Sequence, residues 1–228
     1  LSPLIFSSGE NQPYSLFLYM LALSSLALGG AFFRRWHWVN RLAFTGSWLI
    51  YGIWFSEYYQ QSQIVPAMLF GTIFYVFFAV VASSYSLWRQ EAGNGGEIAL
   101  IIANTTAALA AYWQILYTDH EGTLGYVVIG QAVFTFLLYR FWMERVRTDR
   151  EIPRILLVVT ILLVFLAVPV QLEAYGIPLA WAAEGVALSA AGYWLKDRIL
   201  RAGGVAAGGL AVIGLLVRLP LHTTEAPF

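Results

Sequence analysis

The chain has 228 residues, no net charge at pH 7 and no cysteine. Of its residues, 59% are hydrophobic and only 11% are charged, whereas soluble proteins carry roughly 25% charged residues. A soluble domain needs a polar surface, so this composition excludes an ordinary globular fold and indicates a membrane protein. Because basic residues are not in excess, no nucleic-acid partner is expected. The lack of cysteine excludes disulfides, thiol catalysis and iron–sulfur clusters.

Eight windows are long and apolar enough to cross a bilayer as α-helices, which requires about 20 mostly apolar residues. In chain order they are residues 13–33, 38–57, 64–88, 97–117, 123–143, 153–171, 177–195 and 199–219. Proline in a first helical turn, as at Pro13, Pro66, Pro153 and Pro178, agrees with these starts. The sequence therefore predicts an all-α, polytopic transmembrane bundle of about eight helices, forming a single domain over residues 1–228.

The basic residues fall almost entirely on one side of this predicted bundle. The chain holds 13 Lys and Arg residues, and all of them except Arg218 lie in or beside the first, third, fifth and seventh connections. Because loops rich in Lys and Arg stay in the cytoplasm, this alternation predicts that both ends of the chain lie on the outer side.

The last two windows are rich in small residues at helical spacing, with Gly185, Ser189 and Gly192 on one and Gly204 and Gly208 on the other. Such residues let two backbones approach closely in lipid, so we expect a tight helical hairpin. The alternative is that Gly and Ala are merely common in membrane helices. The larger Phe, Tyr and Leu side chains of the first three windows indicate looser packing or contact with lipid.

Two stretches are similar to a known family. One is Ile177-Pro-Leu-Ala-Trp-Ala-Ala-Glu-Gly-Val-Ala-Leu, followed by a short basic loop and Leu200-Arg-Ala-Gly-Gly; the other is Arg34-Arg-Trp-His-Trp-Val-Asn-Arg, followed by Trp48 and Glu57-Tyr-Tyr. Together they resemble the bacterial membrane proteins grouped as domain of unknown function 2339, most specifically over residues 181–185. The resemblance implies a multi-pass protein of the bacterial inner membrane, of which this chain is the C-terminal portion. The resemblance implies no particular activity.

Glu184 is the first candidate functional residue, because it lies about seven residues inside the seventh window, or roughly 10 Å along the helix. A charged side chain at such depth usually faces the bundle or a water-filled cavity. Three roles are open: an ion pair with Arg218, binding of a proton, cation or polar substrate in a cavity, or a protonated side chain hydrogen-bonded in the core.

The fourth and fifth windows also carry polar side chains. These are Asn104, Thr105, Thr106, Gln114 and Gln131. Such residues bond across helices in membrane bundles, so they indicate either helix packing or a substrate path. Asn104 and Gln131 are the two candidates for a path.

Motifs for chemistry are missing. His120 and His222 lie in separate loops with acidic neighbours whose spacing matches no zinc motif. Walker, dinucleotide, nucleophile-elbow and HExxH patterns are absent from the sequence as well. We therefore predict no metal, no cofactor and no catalytic residue, and an enzyme is the less favoured class.

Two hypotheses for function follow. In the first, the chain is a transport or lipid-handling module of the cell envelope, with Glu184 at an outward-facing cavity and membrane lipids as partners. In the second, it is a scaffold that packs on other membrane proteins or on the remainder of a longer chain, with Glu184 paired to Arg218. A membrane enzyme acting at the outer face would need a loop constellation that the sequence lacks.

Overall fold

The computed structural model describes residues 11–34, 37–89, 95–117, 121–145, 151–171, 176–194 and 196–218. Its helices are α1 (Pro13–Arg34), α2 (His37–Tyr58), α3 (Ile64–Arg89), α4 (Gly95–Leu116), α5 (Glu121–Arg145), α6 (Glu151–Gln171), α7 (Gly176–Trp194) and α8 (Arg198–Arg218). A short 3-10 turn at Gln61–Gln63 leads into α3. Over these ranges every regular element is a helix, which confirms the predicted all-α class.

Six of the described helices are long and apolar enough to cross a membrane: α1, α3, α4, α5, α6 and α8. This makes the chain a multi-pass helical membrane protein. The other two, α2 and α7, have 22 and 19 residues, and polar side chains such as Asn40, Arg41 and Glu184 make them less apolar. The eight-span count therefore stays a prediction for these two helices.

The packing of α2 bears on that prediction. The ring of Phe17 in α1 contacts Tyr51 and Trp54 of α2 at centroid distances of 5.4 and 5.0 Å. The same ring contacts Phe70 and Phe74 of α3 at 4.9 and 5.9 Å. Helix α2 therefore packs against two helices that are long enough to span.

Contacts divide the chain into two compact units. Unit 1 comprises residues 1–121 and 138–156, and unit 2 comprises residues 122–137 and 157–228. Helices α5 and α6 therefore contribute residues to both units.

The core of unit 1 is aromatic. Phe17 and Phe74 are completely buried and Tyr51 is 2% exposed, so the expectation of loose packing is wrong for these side chains. Edge-to-face ring contacts such as Phe17–Phe74 each contribute about 0.5–1.5 kcal/mol beyond their area. Large aromatic rings can pack as closely as small side chains do, so side-chain size alone does not predict loose packing.

Unit 2 contains a tight hairpin of α7 and α8, as predicted. A Cβ atom added to Gly185 would lie 2.9 Å from the carbonyl oxygen of Gly204. A Cβ atom added to Gly192 would lie 2.6 Å from the backbone nitrogen of Arg201. Both positions therefore require glycine, because the two backbones are in direct contact.

The turn of this hairpin is closed by backbone bonds. The amide of Asp197 donates to the carbonyl of Gly192 at 3.0 Å, and the amide of Lys196 donates to Tyr193 at 3.3 Å. This pair of bonds is the Schellman pattern that ends many helices. Lys196 takes the left-handed conformation that the pattern requires, with φ of 53°. The Asp197 carboxylate then accepts the amide of Ile199 at 2.7 Å and caps the start of α8.

Candidate functional site around Glu184

Glu184 lies eight residues after the start of α7, or about 12 Å along the helix at 1.5 Å per residue. Its neighbour Gly185 faces α8, where the backbone of Gly204 and Gly208 comes within 2.9 Å of an added Cβ atom. The contact of the two backbones fixes the rotation of α7 about its axis. It therefore also fixes the direction in which Glu184 leaves the helix.

Trp181, on the same face of α7 as Glu184, contacts α6. The indole Nε1 of Trp181 donates to the backbone carbonyl of Phe165 in α6 at 3.4 Å. One turn beyond Glu184, Leu188 approaches Gly203 of α8, as does Ile161 of α6. Trp181, Glu184 and Leu188 follow one another at i, i+3 and i+7, so they share one face of α7. Glu184 thus lies on a face of α7 that contacts α6 through Trp181.

The carboxyl group of Glu184 is enclosed. Both of its oxygen atoms are shielded from solvent, and neither has a hydrogen-bond partner among the described residues. A buried polar group without a partner typically costs about 1–3 kcal/mol, and more when it is charged. Ionisable residues inside membrane proteins commonly mark ion, proton or substrate sites. The group is therefore available to bind a partner that the described residues do not supply.

Arg218 is the last residue of α8, and its side chain lies outside the described part of the chain. The contacts of Gly185 with Gly204 and Gly208 set the register of the two antiparallel helices. They place Glu184 opposite a position near residue 207. Arg218 is 11 residues further on, which corresponds to about 16 Å along the axis. Two side chains could bridge that separation only if both were almost fully extended along it, so the register weighs against the ion pair.

Asn104 is completely buried in α4, within unit 1. Its Oδ1 accepts a hydrogen bond from the indole of Trp48 at 3.1 Å, and its Nδ2 donates to the backbone carbonyl of Tyr75 at 2.8 Å. One side chain thereby joins α4 to both α2 and α3. These bonds favour the helix-packing alternative for Asn104.

Gln131 is 4% exposed in the part of α5 that belongs to unit 2. Its side-chain oxygen and nitrogen both lack a hydrogen-bond partner among the described residues. Gln131 and Glu184 are therefore two enclosed polar groups of one unit, and no hydrogen bond joins them. Asn104 belongs to the other unit.

A metal site on the outer side would use His120, His222 and the acidic side chains near them. Asp119, His120, Glu173, His222 and Glu225 all lie outside the described residues. Elsewhere in the described ranges, no three His, Asp or Glu side chains come close enough together to hold a metal ion.

A groove between α1 and α2 was not anticipated from the sequence. It has a volume of about 620 Å³. Its floor includes small residues on both helices, namely Ser24, Ala27, Ala43, Gly46 and Ser47. Their spacing of three and four residues was visible in the sequence, but the same spacing in α7 and α8 produces direct backbone contact. Spacing alone therefore does not tell a groove from a closed interface.

The fold and its enclosed acidic side chain define a multi-pass helical membrane protein with an ionisable group on α7 that has no hydrogen-bond partner among the described residues. The family described as "Predicted membrane protein (DUF2339)" matches residues 1–226. The chain belongs to this family, which confirms the resemblance carried by residues 177–188 and by the stretch that begins at Arg34. No curated protein and no solved structure gives a significant match.

Proposed function

We propose that this chain is a transport or lipid-handling module of the bacterial cell envelope, located in the inner membrane, in which Glu184 binds at an outward-facing cavity. The ligand is a proton, a cation or a polar group of the substrate. One observation carries the proposal: both carboxyl oxygens of Glu184 are enclosed and have no partner among the described residues.

The chemistry of the site supports binding over a purely structural role. A structural carboxyl group inside a membrane protein gains from pairing with another side chain or with backbone groups. Glu184 instead lies between Trp181 and Leu188, and the Trp181 indole is already bonded to Phe165. A cation or a hydrogen-bond donor that enters would restore the interactions that the buried carboxyl group lacks.

The position of Glu184 supports access from the outer side. The distribution of Lys and Arg predicts that α7 begins at the outer surface. From Gly176, Glu184 is about 12 Å into the helix, which is less than half of the roughly 30 Å hydrocarbon thickness. A short path from the outer surface would therefore reach it.

Cysteine labelling tests this access directly, because the chain contains no cysteine of its own. Glu184→Cys is introduced, and oriented vesicles or intact cells are treated with a membrane-impermeant thiol reagent. The matched control is Ala183→Cys, which is at the same depth but on the exposed face of the helix, where lipid surrounds it. Asp119→Cys and Thr148→Cys report the predicted outer and inner sides.

We expect the reagent, added from outside, to label Glu184→Cys and Asp119→Cys and to leave Ala183→Cys and Thr148→Cys unmodified. Labelling at 184 would show that water reaches into the bundle beside α7. Protection at 184 in a protein that labels at Asp119→Cys would contradict the proposal. It would favour the scaffold hypothesis, in which Glu184 pairs with Arg218 and the helices pack on partner membrane proteins.

A further inference from the structure

The groove between α1 and α2 has the size of a ligand site. Its volume is about 620 Å³, and binding sites for small molecules typically measure about 300–1,000 Å³. All of its described lining residues come from α1 and α2, so it belongs to unit 1 alone. Glu184, by contrast, belongs to unit 2.

The interior of the groove offers almost nothing polar to a ligand. The two serines near its middle, Ser24 and Ser47, are 7% and 2% exposed, and their hydroxyl groups are hydrogen-bonded to each other at 3.1 Å. Most of the other lining residues are aliphatic, among them Leu16, Leu23 and Ile50. An occupant of this interior must itself be hydrocarbon.

One end of the groove is polar. Trp54 lines the groove, and its Nε1 donates to Oδ1 of Asn11 at 2.9 Å. Nδ2 of Asn11 in turn donates to the backbone carbonyl of Tyr58 at 3.0 Å and to Oε1 of Gln63 at 3.1 Å. Asn11 and Tyr58 are exposed and lie where α1 begins and α2 ends, which is the predicted outer surface. The groove thus combines an apolar length with a hydrogen-bonding end.

Lipid is the occupant that the surroundings of the groove supply. The flanks of the groove are apolar and open, since Leu23 is 54% exposed and Ile53 is 51% exposed. In a membrane these flanks face hydrocarbon, so lipid acyl chains are the molecules present at the opening.

We propose that the outer half of this groove binds one acyl chain of an outer-leaflet phospholipid, whose headgroup lies at Asn11 and Tyr58. From Tyr58 to Ser47 is 11 residues of helix, or about 16 Å, which matches one leaflet of a hydrocarbon core about 30 Å thick. The chain would lie along Ile50 and Leu23, and the Ser24–Ser47 pair would mark its end. The hydroxyl of Tyr58 at this end, on a side chain that is 54% exposed, can donate a hydrogen bond to a phosphate or glycerol oxygen.

The test uses phosphatidylglycerol that carries a photoreactive diazirine near the end of one acyl chain. The full chain is reconstituted in vesicles containing this lipid and irradiated, and the modified positions are mapped by peptide mass spectrometry. The groove-filling variant is Ile50→Trp. The matched control is Leu49→Trp, whose position is adjacent, 55% exposed and not part of the groove.

We expect cross-links concentrated on the segments around Leu23 and Ser47. Ile50→Trp should lose most of this labelling, whereas Leu49→Trp should be labelled as strongly as the wild-type protein. Thermal unfolding of both variants shows whether each remains folded, and Leu23→Trp provides a second blocking variant from the opposite wall. Labelling spread evenly over exposed apolar positions, or equal labelling of Ile50→Trp and Leu49→Trp, would overturn the proposal. The proposal would also be overturned if the groove were occupied by a second copy of the chain. In that case the wild-type protein would be a dimer without lipid labelling in the groove, and Ile50→Trp would dissociate the dimer.

Discussion

The indole nitrogen of Trp48 donates a hydrogen bond to the side-chain oxygen of Asn104, at 3.1 Å, across the interface of α2 and α4. The amide of the same asparagine reaches the carbonyl of Tyr75 in α3. Three helices therefore meet at one completely buried side chain. In lipid, such a residue replaces hydrogen bonds that water would provide in a soluble protein.

Asn104→Leu should lower the free energy of unfolding by about 1–2 kcal/mol, because the Trp48 indole loses its acceptor. The matched control is Thr106→Val in the same helix. Thr106 is exposed, and within the described part of the chain its hydroxyl bonds to the carbonyl of Ile102, one turn earlier, so its loss should change stability by less than about 0.5 kcal/mol. Thermal unfolding in detergent measures both. Equal stability of the two variants would show that the three-helix junction contributes nothing.

The hairpin of α7 and α8 predicts opposite signs for two Gly→Ala substitutions in one helix. At Gly204 an added Cβ atom would collide with the backbone nitrogen of Ser189 at 2.6 Å, and Gly204→Ala should destabilise by about 1–3 kcal/mol through overpacking. At Gly209 nothing lies within 4 Å, and Gly209→Ala should stabilise by about 0.4–1 kcal/mol, since it restricts the unfolded chain. The two midpoints of thermal unfolding should move in opposite directions. A shift of both in the same direction would be inconsistent with direct backbone contact.

Replacing Lys196 by glycine should increase the stability of the protein. Its left-handed conformation, with φ of 53°, costs a residue with a Cβ atom about 1–2 kcal/mol. Lys196→Gly should therefore raise stability by about 1 kcal/mol. Lys196→Ala is the control, because it removes the same charge and keeps the Cβ atom. If both variants gain equally, the charge and not the backbone conformation is responsible.

Glu184→Met replaces an enclosed polar group by an apolar side chain of similar length. Because the carboxyl group has no partner among the described residues, we expect this variant to gain about 1–3 kcal/mol in stability. Glu184→Gln keeps an unpartnered polar group and should gain less. A measured loss of stability in Glu184→Met would mean that the carboxyl group has a bonding partner after all.

The register of α7 and α8 also predicts how Glu184 and Arg218 interact. With about 16 Å of helix between the two positions, a double-mutant cycle with Glu184→Gln and Arg218→Gln should give a coupling energy below about 0.5 kcal/mol. Unfolding of the four proteins at low salt measures it. A coupling above about 1 kcal/mol would establish the ion pair and support the scaffold hypothesis.

The number and positions of the helices could be predicted from the sequence because a backbone surrounded by lipid has few alternatives to the α-helix. Without water, every amide must bond within its own segment, so each apolar window of about 20 residues becomes a helix. The contact of α7 with α8 was predictable for a related reason, since Gly185 and Gly204 have no side chains to hold the backbones apart. Glu184 could be singled out because a carboxyl group in such a window is rare.

What surrounds these residues was decided only by tertiary structure. In a soluble helix the apolar stripe indicates which face is buried, but here both lipid and core are apolar, so the pattern carries little information about facing. Nothing in the sequence directs Asn104 to Trp48 and Tyr75, encloses the carboxyl group of Glu184, or leaves a groove where Gly46 faces α1. Those outcomes depend on how the side chains of several helices fit together, because dispersion between closely packed surfaces acts over only a few ångströms.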